Sequence, residues 1–420
     1  MASGIPVAFG FMLLNMIGVI VFWGGEAGLR QLGLSLYASL TNFSLLPLPL
    51  FVLMGEVMFE SGVGFRMLNT LDKWMGKLPG RVSLLAVGGG VGLSMLSGVS
   101  MASAAILGST LVPEMERRGY KKSMSLGPIM ASGALATMIP PSGLAVILGA
   151  LAHISIAGLL ISGIVPGLLM ALLYGTYIVV RCYLQPSIAP SYTVPPVSLS
   201  VKVRDTLKYV LPLGSIIFLV TGLILVGVVS PSEAAATGTL GTFILAACYR
   251  SLSWKVVKKS LAVTLNITVM ILMIIAGATA FSQILTFSGA TAGLVELVTQ
   301  LRVSPVLILI AMQMIILALG TSMELVSIMM LTLPIFMPIV HAVGFNPIWF
   351  GIIMLLNLEM GAASPPFGMM LFVMKGVAPS DTTMGDIYRA VIPFLCIDLI
   401  VMAMIMAFPS LALWLPGMLK

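Results

Sequence analysis

Apolar runs near or above the length needed to cross a bilayer recur along this chain. They lie at 5–23, 36–60, 123–151, 157–180, 209–229, 233–250, 261–287, 347–376 and 390–418. A helix crosses a ~30 Å hydrocarbon core with about 20 apolar residues, so each run predicts a span. Only 8% of the 420 residues are charged, against about 25% in a soluble domain, and 59% are hydrophobic. Such a chain has too little polar surface to face water on all sides. A closed barrel would need strands of roughly ten residues that alternate polar and apolar, and the unbroken runs exclude it. The expected class is an all-α polytopic membrane protein. Run 5–23 lacks a basic leader and a clear cleavage site, and reads as a retained span. Cys182, Cys248 and Cys396 are scattered, without the spacing of a disulfide framework or zinc site.

Two further apolar stretches, 82–116 and 304–341, are too long for one helix and are interrupted midway by small polar residues. Half of such a stretch is about 15 residues, roughly 22 Å of helix, which falls short of the hydrocarbon core. Each therefore predicts a re-entrant hairpin. The basic residues agree. With both hairpins returning to the side they enter from and the N-terminus in the cytoplasm, 18 of the 21 lysines and arginines fall on the cytoplasmic face. Only Arg30, Arg302 and Lys420 fall outside. The net charge of +7 is thus spread along one membrane face, where the lipid bilayer accounts for it and no nucleic acid is expected.

An offset of 225 residues superposes two parts of the sequence without a gap. Pro113 meets Pro338, Gly119 meets Gly344, Tyr120 meets Phe345, Pro140 and Pro141 meet Pro365 and Pro366, and Gly143 meets Gly368. The matches fall on residues that fix backbone shape. Each copy has a long span (36–60 or 261–287), a short amphipathic piece (62–77 or 290–301), a hairpin, and a span broken by Pro-Pro. The hairpins enter from opposite sides, so the copies are inverted, as in secondary transporters with a midplane site. The expected division is scaffold spans and a first arm at 1–80, a hairpin plus broken helix at 81–151, and scaffold spans with a second arm at 152–303. A second hairpin plus broken helix follows at 304–376, then a C-terminal span at 377–420. The Pro-rich stretch 184–200 reads as an extended cytoplasmic linker.

The first hairpin tip is "MLSGVSMASAA" and the second "LGTSMELVS". Opposite each lies a helix broken by a proline pair, which frees carbonyls and leaves a half-helix N-terminus with partial positive charge. A sodium ion suits such carbonyls with nearby hydroxyls, and an organic anion suits the N-termini. The expected anion contacts are Ser97, Ser100, Thr321 and Ser322 at the tips, with Pro141, Ser142 and Pro366 at the breaks. Glu359, beside Asn357, is an acid at membrane depth, and a charge there costs ~2.5–3.5 kcal/mol. It can hold the broken loop by hydrogen bonds, bind a cation or carry a proton; the first is preferred, because neutral oxygens suffice for Na⁺. Glu324 is similar. Glu56 is expected near an interface, Asp398 paired with a neighbouring helix or subunit, and Lys375 snorkelling at a span end. His153 and His341 have no metal-spaced partner, and there is no P-loop. The 32 methionines are spread over nearly every span, as packing residues are.

The segments "LSGVSMASAAILGSTLVPEMERRGYKKSMSLGPIMASGALATMIPPSG" and "PIFMPIVHAVGFNPIWFGIIMLLNLEMGAASPPFGMMLFVMKGVAP" resemble the large membrane subunit of tripartite ATP-independent periplasmic (TRAP) transporters. The resemblance covers nearly the whole chain. It implies a bacterial inner-membrane permease with an elevator-type ion-transporter fold, and no enzyme. It also implies Na⁺ as coupling ion, a small organic acid as substrate, a separate small membrane subunit, and an extracytoplasmic solute-binding protein. By that resemblance one Na⁺ site uses Ser97, Gly98, Ser100 and Ser103 with the loop from Thr137 to Pro140. Another uses Gly320, Gly361 and Ser364. Family members commonly carry aspartate where this chain has Glu324, and often threonine in place of Ser364. The competing expectations are a stand-alone sodium/organic-anion symporter, a proton-coupled transporter using Glu359 or Glu324, and an intramembrane enzyme.

Overall fold

The computed structural model describes the backbone of residues 7–76, 78–97, 100–190, 197–300 and 303–418; the side chains of 7, 8, 93–97, 100 and 102 lie outside the described set. The described residues form helices and no strand. The first copy runs α1 (Val7–Phe22), α2 (Glu26–Leu40), α3 (Pro47–Glu60) and α4 (Val63–Met75). It continues with α5 (Arg81–Ser97), α6 (Ser100–Arg117), α7 (Lys122–Ser125), α8 (Gly127–Met138), α9 (Gly143–Leu151), α10 (Ile156–Ser162) and α11 (Ile164–Leu184). After the linker come α12 (Leu199–Asp205), a π-helical turn at Thr206–Val210, and α13 (Leu211–Leu225). The second copy runs α14 (Pro231–Cys248), α15 (Trp254–Phe287), α16 (Ala290–Gln300), α17 (Pro305–Gly320) and α18 (Leu325–Val343). Then follow α19 (Pro347–Ala362), α20 (Met369–Val377), α21 (Met384–Ala407) and the short α22 (Ser410–Leu413).

The 225-residue offset holds for helices as well as residues, and it reaches further than the prolines indicate. Under it α1 falls on α14, α4 on α16, α5 on α17, α6 on α18, α9 on α20, and α10 with α11 on α21. Among the described α-helices, α12, α13 and the short α22 have no α-helical counterpart in the other copy. Gly119 and Gly344, which follow α6 and α18, share φ of 82°, the left-handed turn that a glycine supplies after a helix.

Two expectations need correction. Run 36–60 is not one helix. It ends α2 at Leu40, passes through a 3-10 turn at Phe43–Leu45 and restarts at Pro47. Asn42 caps the turn by accepting the Ser44 N–H, and Pro47 sits in the first turn of α3, where its missing N–H costs nothing. At the matching positions of the second copy stand Ile267 and Leu272, so α15 runs unbroken for 34 residues. The hairpin arms are also longer than half-depth. They have 17 and 18 residues in the first copy and 16 and 19 in the second, about 24–28 Å at the helical rise. Six described helical stretches are long and apolar enough to cross a membrane, and α7–α8 with α9, bent by 47°, makes a seventh. The runs 233–250 and 347–376 hold α14 and the pair α19 and α20, which are shorter or more polar than those seven, and the described part of run 5–23 is α1.

The broken helices lie at the centre. The first half α8 packs along α19, its counterpart. Each second half packs on an arm of the other copy's hairpin: α9 on α18, and α20 on α6. Around them stand α11 and α21, joined by a buried hydrogen bond from the Tyr174 hydroxyl to Asp398. That bond gives Asp398 its expected partner, on a neighbouring helix of the same chain. On the other flank α3 packs against α14, α15 and α5. Glu56 is buried there, one turn from Glu60, which pairs with Lys259 at 2.8 Å. Lys375 donates to the Thr382 carbonyl at 2.5 Å, beyond the end of α20.

Candidate substrate and ion site

In the first copy Pro140 and Pro141 have no N–H to offer the carbonyls of Ala136 and Thr137, four residues back. The α-helix therefore stops at Met138 and restarts at Gly143. Ser142 caps the restart, its Oγ accepting the Ala145 N–H at 3.3 Å. The break is largely enclosed: Pro140, Pro141 and Ser142 are buried and Ile139 is half-buried. Gly163, between α10 and α11, packs so tightly against it that a Cβ would lie 2.3 Å from the Met138 carbonyl oxygen.

The second break is longer and more open. Pro365 and Pro366 withdraw donors from Gly361 and Ala362, and six residues separate α19 from α20. Ser364 donates to the Met360 carbonyl at 2.6 Å, and the Tyr388 hydroxyl of α21 donates to the Pro366 carbonyl at 2.8 Å. Pro366 and Phe367 are exposed, and α20 has no side-chain cap on its N-terminus. Gly368 is required here, because a Cβ would lie 2.4 Å from the Ala362 carbonyl oxygen.

Two links join these breaks to their surroundings. The Thr137 hydroxyl donates to Glu359 Oε1 at 2.8 Å, tying the end of α8 to α19 across a distance of 222 residues in sequence. Glu359 is 2% exposed. The Gly133 carbonyl lies 3.2 Å from the same hydroxyl, and either bond leaves the Thr137 oxygen its lone pairs. The second link is Gly320 against Gly361, backbone on backbone: a Cβ on Gly320 would stand 2.6 Å from the Gly361 Cα. The end of α17 thus meets α19 at the edge of the second break, where the Gly361 carbonyl accepts the Ser364 N–H at 3.1 Å.

The acids near the site have defined structural partners. Glu324 caps α18, its Oε2 accepting the Ser327 N–H at 3.0 Å and the Ser327 hydroxyl at 3.2 Å. Capping is a task that aspartate also performs, which gives a physical reason for either acid there. Asn357 donates to the backbone carbonyl of Gln313 at 2.6 Å and to its side-chain oxygen at 2.9 Å. Thr321 donates to the Ala318 carbonyl at 2.8 Å, and Ser322 lies 3.5 Å from that of Leu319. Ser103 is buried on α6. Gly98 and the side chains of Ser97 and Ser100 lie outside the described residues.

The structure thus brings together Thr137 with Glu359 and Gly320 with Gly361, while Ser142 and Glu324 are occupied as helix caps. Sequence reasoning missed Gln313 and Tyr388. Gln313 carried a signal: it is the lone amide in the apolar run of α17. Tyr388 carried none, since only the fold brings α21 to the second break.

The family model of the tripartite ATP-independent periplasmic transporter, DctM component, matches residues 1–411. The chain belongs to this family. Among its relatives, a C4-dicarboxylate TRAP transporter large permease protein of Pseudomonas aeruginosa is 32% identical, over 93% of this chain and 90% of that one. A sialic acid TRAP transporter large permease protein of Vibrio cholerae is 28% identical, over 99% and 95%. The fold matches the crystal structure of the Alcanivorax borkumensis YdaH transporter with a TM-score of 0.69, at 15% identity and 98% coverage of both chains. These relatives are transport permeases, so this TRAP large permease is a multi-pass transporter subunit and not an enzyme.

Proposed function

We propose that this TRAP large permease carries a small organic acid anion into the cell across the bacterial inner membrane, driven by Na⁺ and by an elevator-type movement of its broken helices and hairpins. An extracytoplasmic solute-binding protein delivers the anion, a small membrane subunit braces the permease, and the N-terminus lies in the cytoplasm. The observation that carries the ion reading is the chemistry of the two breaks. Proline pairs withhold the α-helical donors of the Ala136, Thr137, Gly361 and Ala362 carbonyls, and that of Gly361 accepts the Ser364 N–H at 3.1 Å instead. The Thr137 and Ser364 hydroxyls spend their hydrogens on Glu359 and Met360, leaving oxygens that can only accept. Such oxygens suit a cation. The uncapped N-terminus of α20, at the exposed break, suits a carboxylate. C4-dicarboxylates and sialic acids, named for the two relatives, both carry one. In this reading Glu359 positions Thr137, and Glu324 holds the second hairpin tip.

The test is uptake of candidate organic acids into proteoliposomes holding the permease and small subunit, with and without the binding protein, under a sodium or a pH gradient. Uptake is expected only with the binding protein and a sodium gradient. Ser364→Ala is expected to raise the half-saturating Na⁺ concentration. Uptake on a pH gradient without sodium would establish proton coupling instead, and uptake without the binding protein would establish a stand-alone symporter.

A further inference from the structure

The arm helix α4 is fastened to the α12–α13 junction by a cluster that the transport reading does not use. Lys73 Nζ lies 2.6 Å from Asp205 Oδ2, and the Trp74 indole donates to the Thr206 hydroxyl at 2.7 Å. Lys202 Nζ stands 5.7 Å from the centre of the Trp74 ring. Beside them Tyr209 and Tyr249 meet edge to face at 5.6 Å between ring centres, with Lys208 Nζ 5.2 Å from the Tyr209 ring and the Arg66 guanidinium 5.7 Å from the Tyr249 ring. Arg204, with 72% of its side chain exposed, reaches Asp205 at 3.4 Å.

The charges in this cluster do not balance. Arg66, Lys73, Lys202, Arg204 and Lys208 are cations, and Asp205 is the acid that faces them; Asp72, next to Lys73, is held by Arg81. Four positive charges are left over at a belt of tryptophan and tyrosine, the residues that favour the membrane–water boundary. Directly alongside runs an apolar row. Leu199, Val203, Leu207 and Leu211 recur every four residues and are 67%, 42%, 57% and 58% exposed. A soluble anion has no use for that row, whereas acyl chains do.

We propose that the α12–α13 junction and α4 form a binding site for one anionic phospholipid, its phosphate held by Lys202, Arg204 and Lys208 and its chains laid along the apolar row. The excess charge supplies the complementarity. The headgroup stiffens the joint between the first arm and the linker span.

The test is lipid binding to the delipidated permease, by native mass spectrometry and thermal unfolding, with phosphatidylglycerol and phosphatidylcholine of equal chain length. Phosphatidylglycerol is expected to bind about tenfold more tightly. Lys202→Gln/Arg204→Gln/Lys208→Gln is expected to abolish that preference, while Lys202→Arg/Lys208→Arg, which keeps the charge, and Lys255→Gln/Lys258→Gln, on α15, retain it. Equal binding of both lipids to the unaltered protein overturns the site without recourse to any variant. Undiminished preference in the triple variant also overturns it, as does equal protection by inorganic phosphate. Displacement of the lipid by the small membrane subunit assigns the surface to that protein instead.

Discussion

The two copies use one backbone device in different surroundings. The first break spans four residues, buries three of them with Ile139 half-buried, and has its restart capped by Ser142. The second spans six, exposes Pro366 and Phe367, and leaves α20 without a side-chain cap. The arms differ in the same sense. Arg81 binds Asp72 bidentately, at 2.8 and 2.5 Å, clamping α4 to the start of α5. The matching positions in the second copy are Val306 and Leu297, both exposed and apolar. The first copy is closed and clamped at both places, and the second is open at both. A shared proline device therefore does not give equal access, because the length of the break and the neighbouring side chains decide whether its polar groups face protein or a ligand.

Substitutions can break this contrast. The largest effect is expected at Gly361, which has Ala136 as its counterpart. Gly361→Val places a side chain against the backbone of Gly320 and should remove uptake and lower the melting temperature. Ala136→Gly should leave uptake measurable in the same proteoliposomes.

Next comes the clamp. Arg81→Ala strands Asp72 and should cost about 2–3 kcal/mol, less than the ~3–5 kcal/mol of a fully buried pair because the Asp72 side chain is 30% exposed. Val306→Ala in the second copy should change thermal stability far less. Removing the cap with Ser142→Ala should cost about 1 kcal/mol, read as a drop in the denaturation midpoint. If uptake kinetics change while stability holds, Ser142 touches the cargo and the first break is not the closed one.

The smallest effect concerns pH. Lys122 reaches Asp381 at 2.7 Å and Asp386 at 3.7 Å, joining the start of the first broken helix to the end of the second. The bond from Lys122 holds the Asp381 carboxyl below its ordinary value of 3.8. Its contribution is therefore complete at neutral pH and lost only as pH falls through that depressed value. Asp381→Asn should flatten the acid limb of a melting-temperature profile below pH 4 and leave pH 7 nearly unchanged.

The fold was legible wherever glycine and proline carried it. The offset found from Pro113, Gly119 and the proline pairs places α4, α5, α6 and α9 on their counterparts within a few residues. The break at 41–46 was not legible from hydropathy, since α2 and α3 are both apolar and only Asn42 and Pro47 mark the stop. At the site, the link from Thr137 to Glu359 and the contact of Gly320 with Gly361 depend on which helices lie side by side, which no local pattern encodes. The task of Glu324 was hidden for the opposite reason. A lone acid in an apolar run draws attention to charge, whereas its work is to satisfy a backbone N–H three residues on.

The crossed packing of α9 on α18 and α20 on α6 has a consequence for ancestry and for engineering. Each copy lends the other part of the surface on which the second half of its broken helix rests. Two such units could have met first as separate antiparallel polypeptides, interlocked as partners before a linker fused them. The chain cut within 184–200 should then regain its fold only when both pieces are made together, each serving as the template for the other.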